Sequence, residues 1–226
     1  MFSIVIPLFN EVKNVEPLIN EILQNLKQFK TYEIILVDDA SKDGTLKKIN
    51  NFKNSKIKVI SNKYNKGQSF SICKGIENSL YNIIVTLDGD GQNDPADIVK
   101  LLEFFISNHD IFLVGGIRTK RKDSFIKIIS SKIANTVRSF ILKDNCKDTG
   151  CSLKVFDKKI FLKFPYFNGI HRFLPALFNG YGYKASYIGV NHRTRKYGIS
   201  KYGTMNRLFK GIIDIIKVNK ILKNKK

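Results

Sequence analysis

Nowhere in the 226 residues is there an apolar run of about 20, the length a membrane-spanning helix needs, although 43% of the chain is hydrophobic. The N-terminus has neither a basic flank nor a cleavage site, and runs straight into the strand-like SIVIPLF. The sequence therefore reads as a soluble or peripheral cytoplasmic protein. Cysteine is scarce: Cys73, Cys146 and Cys151 are odd in number and spaced for neither a zinc site nor a disulfide framework, so reduced thiols are expected. Glycine is missing from PLFNEVKN, the segment after the first apolar run. That absence argues against a nucleotidyltransferase, which needs a glycine-rich, basic phosphate loop there. The length suits one sizeable domain with an appendage.

Acidic residues are nearly absent from the second half. Residues 1–110 carry 13 Lys and Arg against 14 Asp and Glu, whereas residues 111–226 carry 26 against 5, so the net charge of +20 belongs to the second half. Such asymmetry points to an anionic partner of that half: nucleic acid, a phospholipid surface or a phosphorylated substrate. A lysine-rich composition without functional meaning is the plain alternative.

Short apolar runs alternate with helix-period segments through the first half. Strands are expected at 3–7, 32–38, 57–61, 82–88 and 110–116, and helices at 15–29, 45–52, 68–80 and 95–108. This β/α alternation predicts a mostly parallel sheet with helices on both faces, whose ligands bind beyond the carboxyl ends of the strands. Past residue 116 the alternation fades. A basic loop, RTKRKD (118–123), leads into a helix-period stretch at 125–142, and a second such stretch, interleaved with lysines, closes the chain.

Three polar clusters fall at the expected strand ends. The strongest is Asp88-Gly89-Asp90-Gly91-Gln92, directly after NIIVTLD. Two adjacent carboxylates repel each other unless a cation lies between them, and hard oxygens suit Mg²⁺ or Mn²⁺, which also reach substrate phosphates. Gly89 and Gly91 would let a diphosphate approach the backbone. A second cluster is VDDASKDGT (37–45), where Asp39 reads as a ligand-binding acid, and Ser41 and Asp43 as turn or capping residues. Pro7, Phe9, Asn10 and Glu11 supply a third edge. Together the three edges look like a nucleotide pocket.

The series VIPLFNE, VDDASKDGT, NKGQSFSICKG, LDGDGQNDP, GIRTKRK, DTGCSLKVF and NHRTRKYGISKYG, spread in order over roughly residues 3–218, resembles the family 2 glycosyltransferases that load a sugar onto a polyprenyl phosphate. The resemblance implies a GT-A fold: an α/β, Rossmann-like, mostly parallel sheet followed by amphipathic C-terminal helices. It implies that Pro7, Phe9, Glu11, Val37 and Asp39 line the nucleotide, with Phe9 standing where relatives often have Tyr. Asp88, Asp90 and Gln92 would hold the metal and, with Gly89, the diphosphate. Arg118 resembles an arginine that reaches the donor or acceptor phosphate, and Arg195 and Lys201 a basic pair that closes over the diphosphate. Asp148 stands where the family keeps an acid near acceptor or sugar, with helix or turn capping as the alternative. Arg172, and His171 beside it, resemble a motif of bacterial relatives, although His171 by itself reads as a buried structural histidine.

The resemblance further implies a GDP- or UDP-linked sugar donor, an undecaprenyl or dolichyl phosphate acceptor, and work at the cytoplasmic face of the membrane. A catalytic domain over 1–203 and a basic, membrane-proximal helix over 204–226 are expected, with anionic lipid, or a membrane-embedded partner, as the counterpart of the excess positive charge. Two other readings are a glycosyltransferase acting on a saccharide and a basic nucleic-acid-binding protein. The latter would leave the acidic strand ends without a purpose.

Overall fold

The structure, a computed structural model, describes residues 1–119, 136, 138–198 and 204–225, the stretch 204–210 as backbone only. The expected alternation appears as β1 (Phe2–Leu8), α1 (Val15–Asn25), β2 (Tyr32–Asp38), α2 (Thr45–Asn50), β3 (Ile57–Ser61), α3 (Gln68–Glu77), β4 (Ile83–Thr86), α4 (Ala96–Ser107) and β5 (Ile111–Arg118). After these come β6 (Lys154–Asp157), the short α5 (Lys158–Phe161), a 3₁₀ turn (Ile170–Arg172), α6 (Leu174–Gly180), β7 (Lys184–Val190) and α7 (Thr204–Lys223). The expected helix at 125–142 lies mostly outside the described residues; 138–142 are helical.

One seven-stranded sheet runs in the order β3-β2-β1-β4-β6-β5-β7. β1 pairs in parallel with β2, Phe2 opposite Tyr32, and with β4, Phe2 opposite Ile83. β6 inserts antiparallel between β4 and β5, with Val155 opposite both Val85 and Val114. The sequence reading missed β6 and β7, so the alternation does not simply fade after 116: it gives way to one reversed strand and one further parallel strand.

Side chains alternate between the two faces because successive strand residues point opposite ways. On one face Ile4, Ile6, Ile34, Leu36 and Val85 pack under α1 and α4, against Ile19, Ile22, Ile98 and Leu101. On the other, Val5, Ile35, Val37, Ile84 and Leu113 pack under α3, α6 and α7, against Ile72, Ile76, Leu177, Phe178 and Val218. All of these side chains are buried, so α7 completes a core layer with its inner face. With helices on both faces, the open carboxyl ends of β1, β2 and β4 are where polar groups gather.

Candidate active site

The tips of β1 and β2 are stapled to each other. Asn10 and Ala40 both take left-handed backbone angles, φ 55° and 60°, which is costly for residues with a Cβ and needs support from neighbours. That support is visible: Asn10 N–H donates to Ser41 Oγ (2.9 Å), Lys42 N–H to Asn10 Oδ1 (2.8 Å), Val12 N–H to Asp43 Oδ2 (3.1 Å) and Glu11 N–H to Thr45 Oγ1 (2.9 Å). Ser41 and Asp43 thus join two loops, whereas the helix they precede starts at Gly44 without a side-chain cap. Asp39, almost wholly buried, accepts from Asn62 Nδ2 (2.8 Å), Lys66 N–H (2.9 Å) and Gly67 N–H (2.8 Å), and so holds the approach to α3 against β2. Pro7 and Phe9 are half-buried at the rim. Val37 differs from expectation, because its side chain is fully buried under α3 and is a core contact.

Asp88 and Asp90 sit on the turn after β4. Gln68 Nε2, from the first turn of α3, donates to Asp88 Oδ1 (2.7 Å), and the Asp88 N–H donates to Asn93 Oδ1 (3.0 Å). Ser152 Oγ donates to the same Asn93 oxygen (2.7 Å), tying the segment before β6 to this turn. The two glycines serve different ends. A Cβ on Gly89 would lie 2.3 Å from Leu8 Cδ2 and 3.1 Å from the Pro7 carbonyl, so a side chain there would force Leu8 to shift, whereas Gly91 has φ +74° and open space around it.

Electrostatically the pair is short of positive charge. Burial first and Asp90 second raise the Asp88 carboxyl, Ser152, Lys154 and Arg118 pull it down, and the balance leaves it at about 6. Burial likewise raises Asp90, against the Gln92 N–H and Arg195, which lower it. Carboxylates that hold protons this readily are a fit for a divalent cation. Among the described residues no three His, Cys, Asp or Glu side chains form a closed metal cage. A hard cation of this kind needs only one or two carboxylates, with waters and substrate phosphates completing its shell. The Gln92 amide is turned aside, its Nε2 3.3 Å from the Arg193 carbonyl and 3.5 Å from His192 Nε2.

A strap following β7 crosses the crevice. Asn93 and His192 form an isolated antiparallel bridge, and Arg193 is latched to Glu21 of α1 (2.5 Å) and to Asp94 (2.8 Å). The strap carries Arg195 into the acidic cluster. One guanidinium nitrogen binds Glu11, a second lies 3.9 Å from Asp90 Oδ2, and Nε donates to the Tyr197 carbonyl (2.9 Å). Glu11 also accepts from Asn14 Nδ2 (2.7 Å). The structure therefore brings Glu11, Asp90 and Arg195 together beside Asp88. Lys201 lies outside the described residues.

Arg118 and Asp148, expected separately, meet. Arg118 Nε and Nη2 each lie 2.7 Å from an Asp148 oxygen, and the Arg118 N–H adds a third bond (3.1 Å). This bidentate pair fixes the end of β5 to the loop before β6. Arg172 faces α7, where its Nη2 lies 2.6 Å from Asp214. Gln68, Asn93, Ser152, Lys154 and Arg193 escaped the sequence reading. Only Lys154 carried a signal: a lysine inside an apolar run, which the structure buries with its Nζ on the Cys151 carbonyl.

A family model described as glycosyl transferase family 2 matches residues 3–164. Dodecaprenyl-phosphate galacturonate synthase of Rhizobium johnstonii is 34% identical over 224 residues, covering 96% of this chain and 65% of its own. Undecaprenyl-phosphate 4-deoxy-4-formamido-L-arabinose transferase of Pectobacterium carotovorum is 32% identical over 205 residues, covering 88% of this chain and 62% of its own. The chain thus spans somewhat less than two thirds of the length of these relatives. Among solved structures, glucosyl-3-phosphoglycerate synthase from Mycobacterium tuberculosis, crystallised with Mn²⁺, UDP and glucosyl-3-phosphoglycerate, superposes with a TM-score of 0.74 at 15% identity, over 100% of this chain and 81% of that one. Mannosyl-3-phosphoglycerate synthase from Rubrobacter xylanophilus gives 0.71 at 14% identity, over 96% and 72%. At such identities the likeness establishes the fold alone, which is GT-A.

Proposed function

Because the chain belongs to glycosyl transferase family 2, we propose that it transfers a sugar from a nucleotide diphosphate sugar, UDP- or GDP-linked, to a polyprenyl phosphate, inverting the anomeric configuration. The observation that carries the reading is the meeting of Asp88, Asp90, Glu11 and Arg195 in one crevice at the carboxyl ends of β1 and β4. The relatives' names supply the acceptor, dodecaprenyl or undecaprenyl phosphate.

In the reaction an acceptor phosphate oxygen attacks the anomeric carbon, and the bond from that carbon to the diphosphate breaks, its electron pair leaving with the nucleoside diphosphate. A phosphate monoester is largely ionised at neutral pH, so no side chain has to remove a proton. A Mg²⁺ or Mn²⁺ ion held by Asp88 and Asp90 would supply positive charge to the departing diphosphate. Arg195 serves the same end from the strap: its guanidinium, resting on Glu11 and Asp90, lies where it can turn to diphosphate oxygens. Asp39 and the stapled β1 and β2 tips form a stiff floor for the nucleoside, and the Arg118–Asp148 pair borders the sugar side.

The C-terminal helix supports work at a membrane surface. No helix among the described residues is long and apolar enough to cross a bilayer. Yet Ile212, Ile213 and Ile216 of α7 are 51%, 64% and 65% exposed, next to exposed Lys217, Lys220 and Lys223. Apolar groups set among cations suit the interface of an anionic bilayer. We propose a catalytic domain over 1–203 and a surface-facing C-terminal segment over 204–226, within which α7 is Thr204–Lys223.

The test is a donor screen with UDP- and GDP-sugars, Mg²⁺ or Mn²⁺, and a short polyprenyl phosphate, following release of nucleoside diphosphate. Transfer should require the lipid phosphate and vanish in Asp90→Ala with the thermal transition unchanged. Transfer only to saccharides would favour the second reading, and full activity of Asp90→Ala would remove the metal from the mechanism.

A further inference from the structure

His171 stands at a junction that the proposed reaction has not used. The 3₁₀ turn that carries it packs against the first turn of α3, whose adjacent residues look two ways: Gln68 bonds Asp88 (2.7 Å) and Ser69 bonds His171 Nδ1 (2.8 Å). Ser69 is fully buried, and its Oγ already accepts the Gly169 N–H (2.7 Å). The hydroxyl proton needs an acceptor of its own, and among the described residues His171 Nδ1 is the one within reach. The relay therefore runs Gly169 N–H to Ser69 Oγ, then Ser69 O–H to His171 Nδ1. With Nδ1 accepting, the ring proton resides on Nε2.

Nε2–H has no protein hydrogen-bond partner among the described residues. Its cationic neighbours are Arg172, itself paired to Asp214, and Lys154. Burial pushes the His171 ring down to about 3, and Arg172 and Lys154 push it the same way, while Lys154 also acts on Asp88. The ring is thus a neutral donor, joined to the paired aspartates through the adjacent residues Ser69 and Gln68. On the proposed reading the nucleoside takes the β1 and β2 tips and Arg195 the diphosphate, which leaves this flank for the other reactant.

We propose that His171 Nε2–H donates a hydrogen bond to the phosphate of the lipid acceptor, with Ser69 as the positioning residue that sets the tautomer. This rests on the reading that a polyprenyl phosphate is the acceptor and gives that phosphate a specific donor in the protein. The histidine moves no proton in the reaction; it orients the attacking anion.

The experiment compares wild type, His171→Ala, His171→Gln and Ser69→Ala with a short polyprenyl phosphate, alongside calorimetric titration of UDP with Mn²⁺. His171→Ala should raise the acceptor KM about tenfold or more, the scale of a hydrogen bond to a charged group. Glutamine, which offers an N–H of similar reach, should recover part of it, and UDP affinity should stay within twofold in all variants. Ser69→Ala should raise the acceptor KM less. Nitrogen NMR of the wild-type ring should show Nε2 protonated and Nδ1 bare from about pH 5 to pH 8. An unchanged acceptor KM in His171→Ala, equal losses in the alanine and glutamine variants, or the opposite tautomer would each overturn the assignment. Absence of any transfer to polyprenyl phosphate by the wild type would instead overturn the functional reading, and this inference with it.

Discussion

At Asp88 the groups around one carboxyl oppose each other: burial and Asp90 favour its protonated form, and Ser152, Lys154 and Arg118 the ionised one. Burial wins, so near pH 6 a proton competes with any cation for the same oxygens. Because the folded carboxyl is raised above its ordinary value, the metal-free protein is favoured by acid, and this contribution fades as pH rises through about 6. Metal affinity runs the other way. Calorimetry should show Mn²⁺ binding strengthening from about pH 5 to about pH 7, by no more than tenfold per pH unit for one proton displaced. A flat profile would mean that Asp88 is not a ligand. The acidic residues of this site were legible in the sequence because strand-end acids a residue apart carry their own signal. Gln68 and Ser69 were not, because their neighbours are brought in by the fold: Ser69 and His171 meet across about a hundred positions. Lys154 carried only the signal of a lysine in an apolar run, and His171 read as a buried structural histidine.

Among the elements, α3 carries most of the second layer of the site, with its first turn at Asp88 and its inner face in the core. Ile76 is fully buried there. Ile76→Ala should lower unfolding stability by roughly 2–5 kcal/mol in denaturant titration, the range for emptying such a position. A loss below 1 kcal/mol would mean that α3 is held by its polar bonds to Asp39 and Asp88 and not by packing. The strap is held differently, by the ion pairs of Arg193 with Glu21 and Asp94. Arg193→Ala should speed hydrogen exchange over 191–198 while leaving the sheet protected; uniform protection would show that the Asn93–His192 bridge suffices. β1, β2, β4 and β5 were readable because buried strands are continuous apolar runs, and β3, a half-exposed edge, by its place in the β/α alternation. β6 was not, since it is four residues long and opens on a buried lysine, and β7 was not, since its half-exposed edge lacks both a long run and clean alternation.

Over the whole molecule, an acidic crevice is built by the first half of the chain and an excess of cations is carried by the second. That division, plain in the sequence, fits a soluble donor received on one side and an anionic surface approached on the other. The protein should float with vesicles containing anionic lipid at low salt and release as ionic strength passes about 0.15 M, where charges beyond about 8 Å are screened. Replacing Ile212, Ile213 and Ile216 together by serine should abolish flotation without changing UDP binding. Flotation that survives in the triple variant would place the docking surface elsewhere.

Asp214 is the only acid in the closing helix, and its carboxylate points inward to Arg172. This bond, together with the burial of Val218, sets the roll of α7 about its own axis. With Asp214 keyed to the 3₁₀ turn, Val218 and Leu222 must face the core, and the three isoleucines have one direction left to face. A free peptide of the same sequence could rotate to present any side; here the orientation is decided before any surface is met.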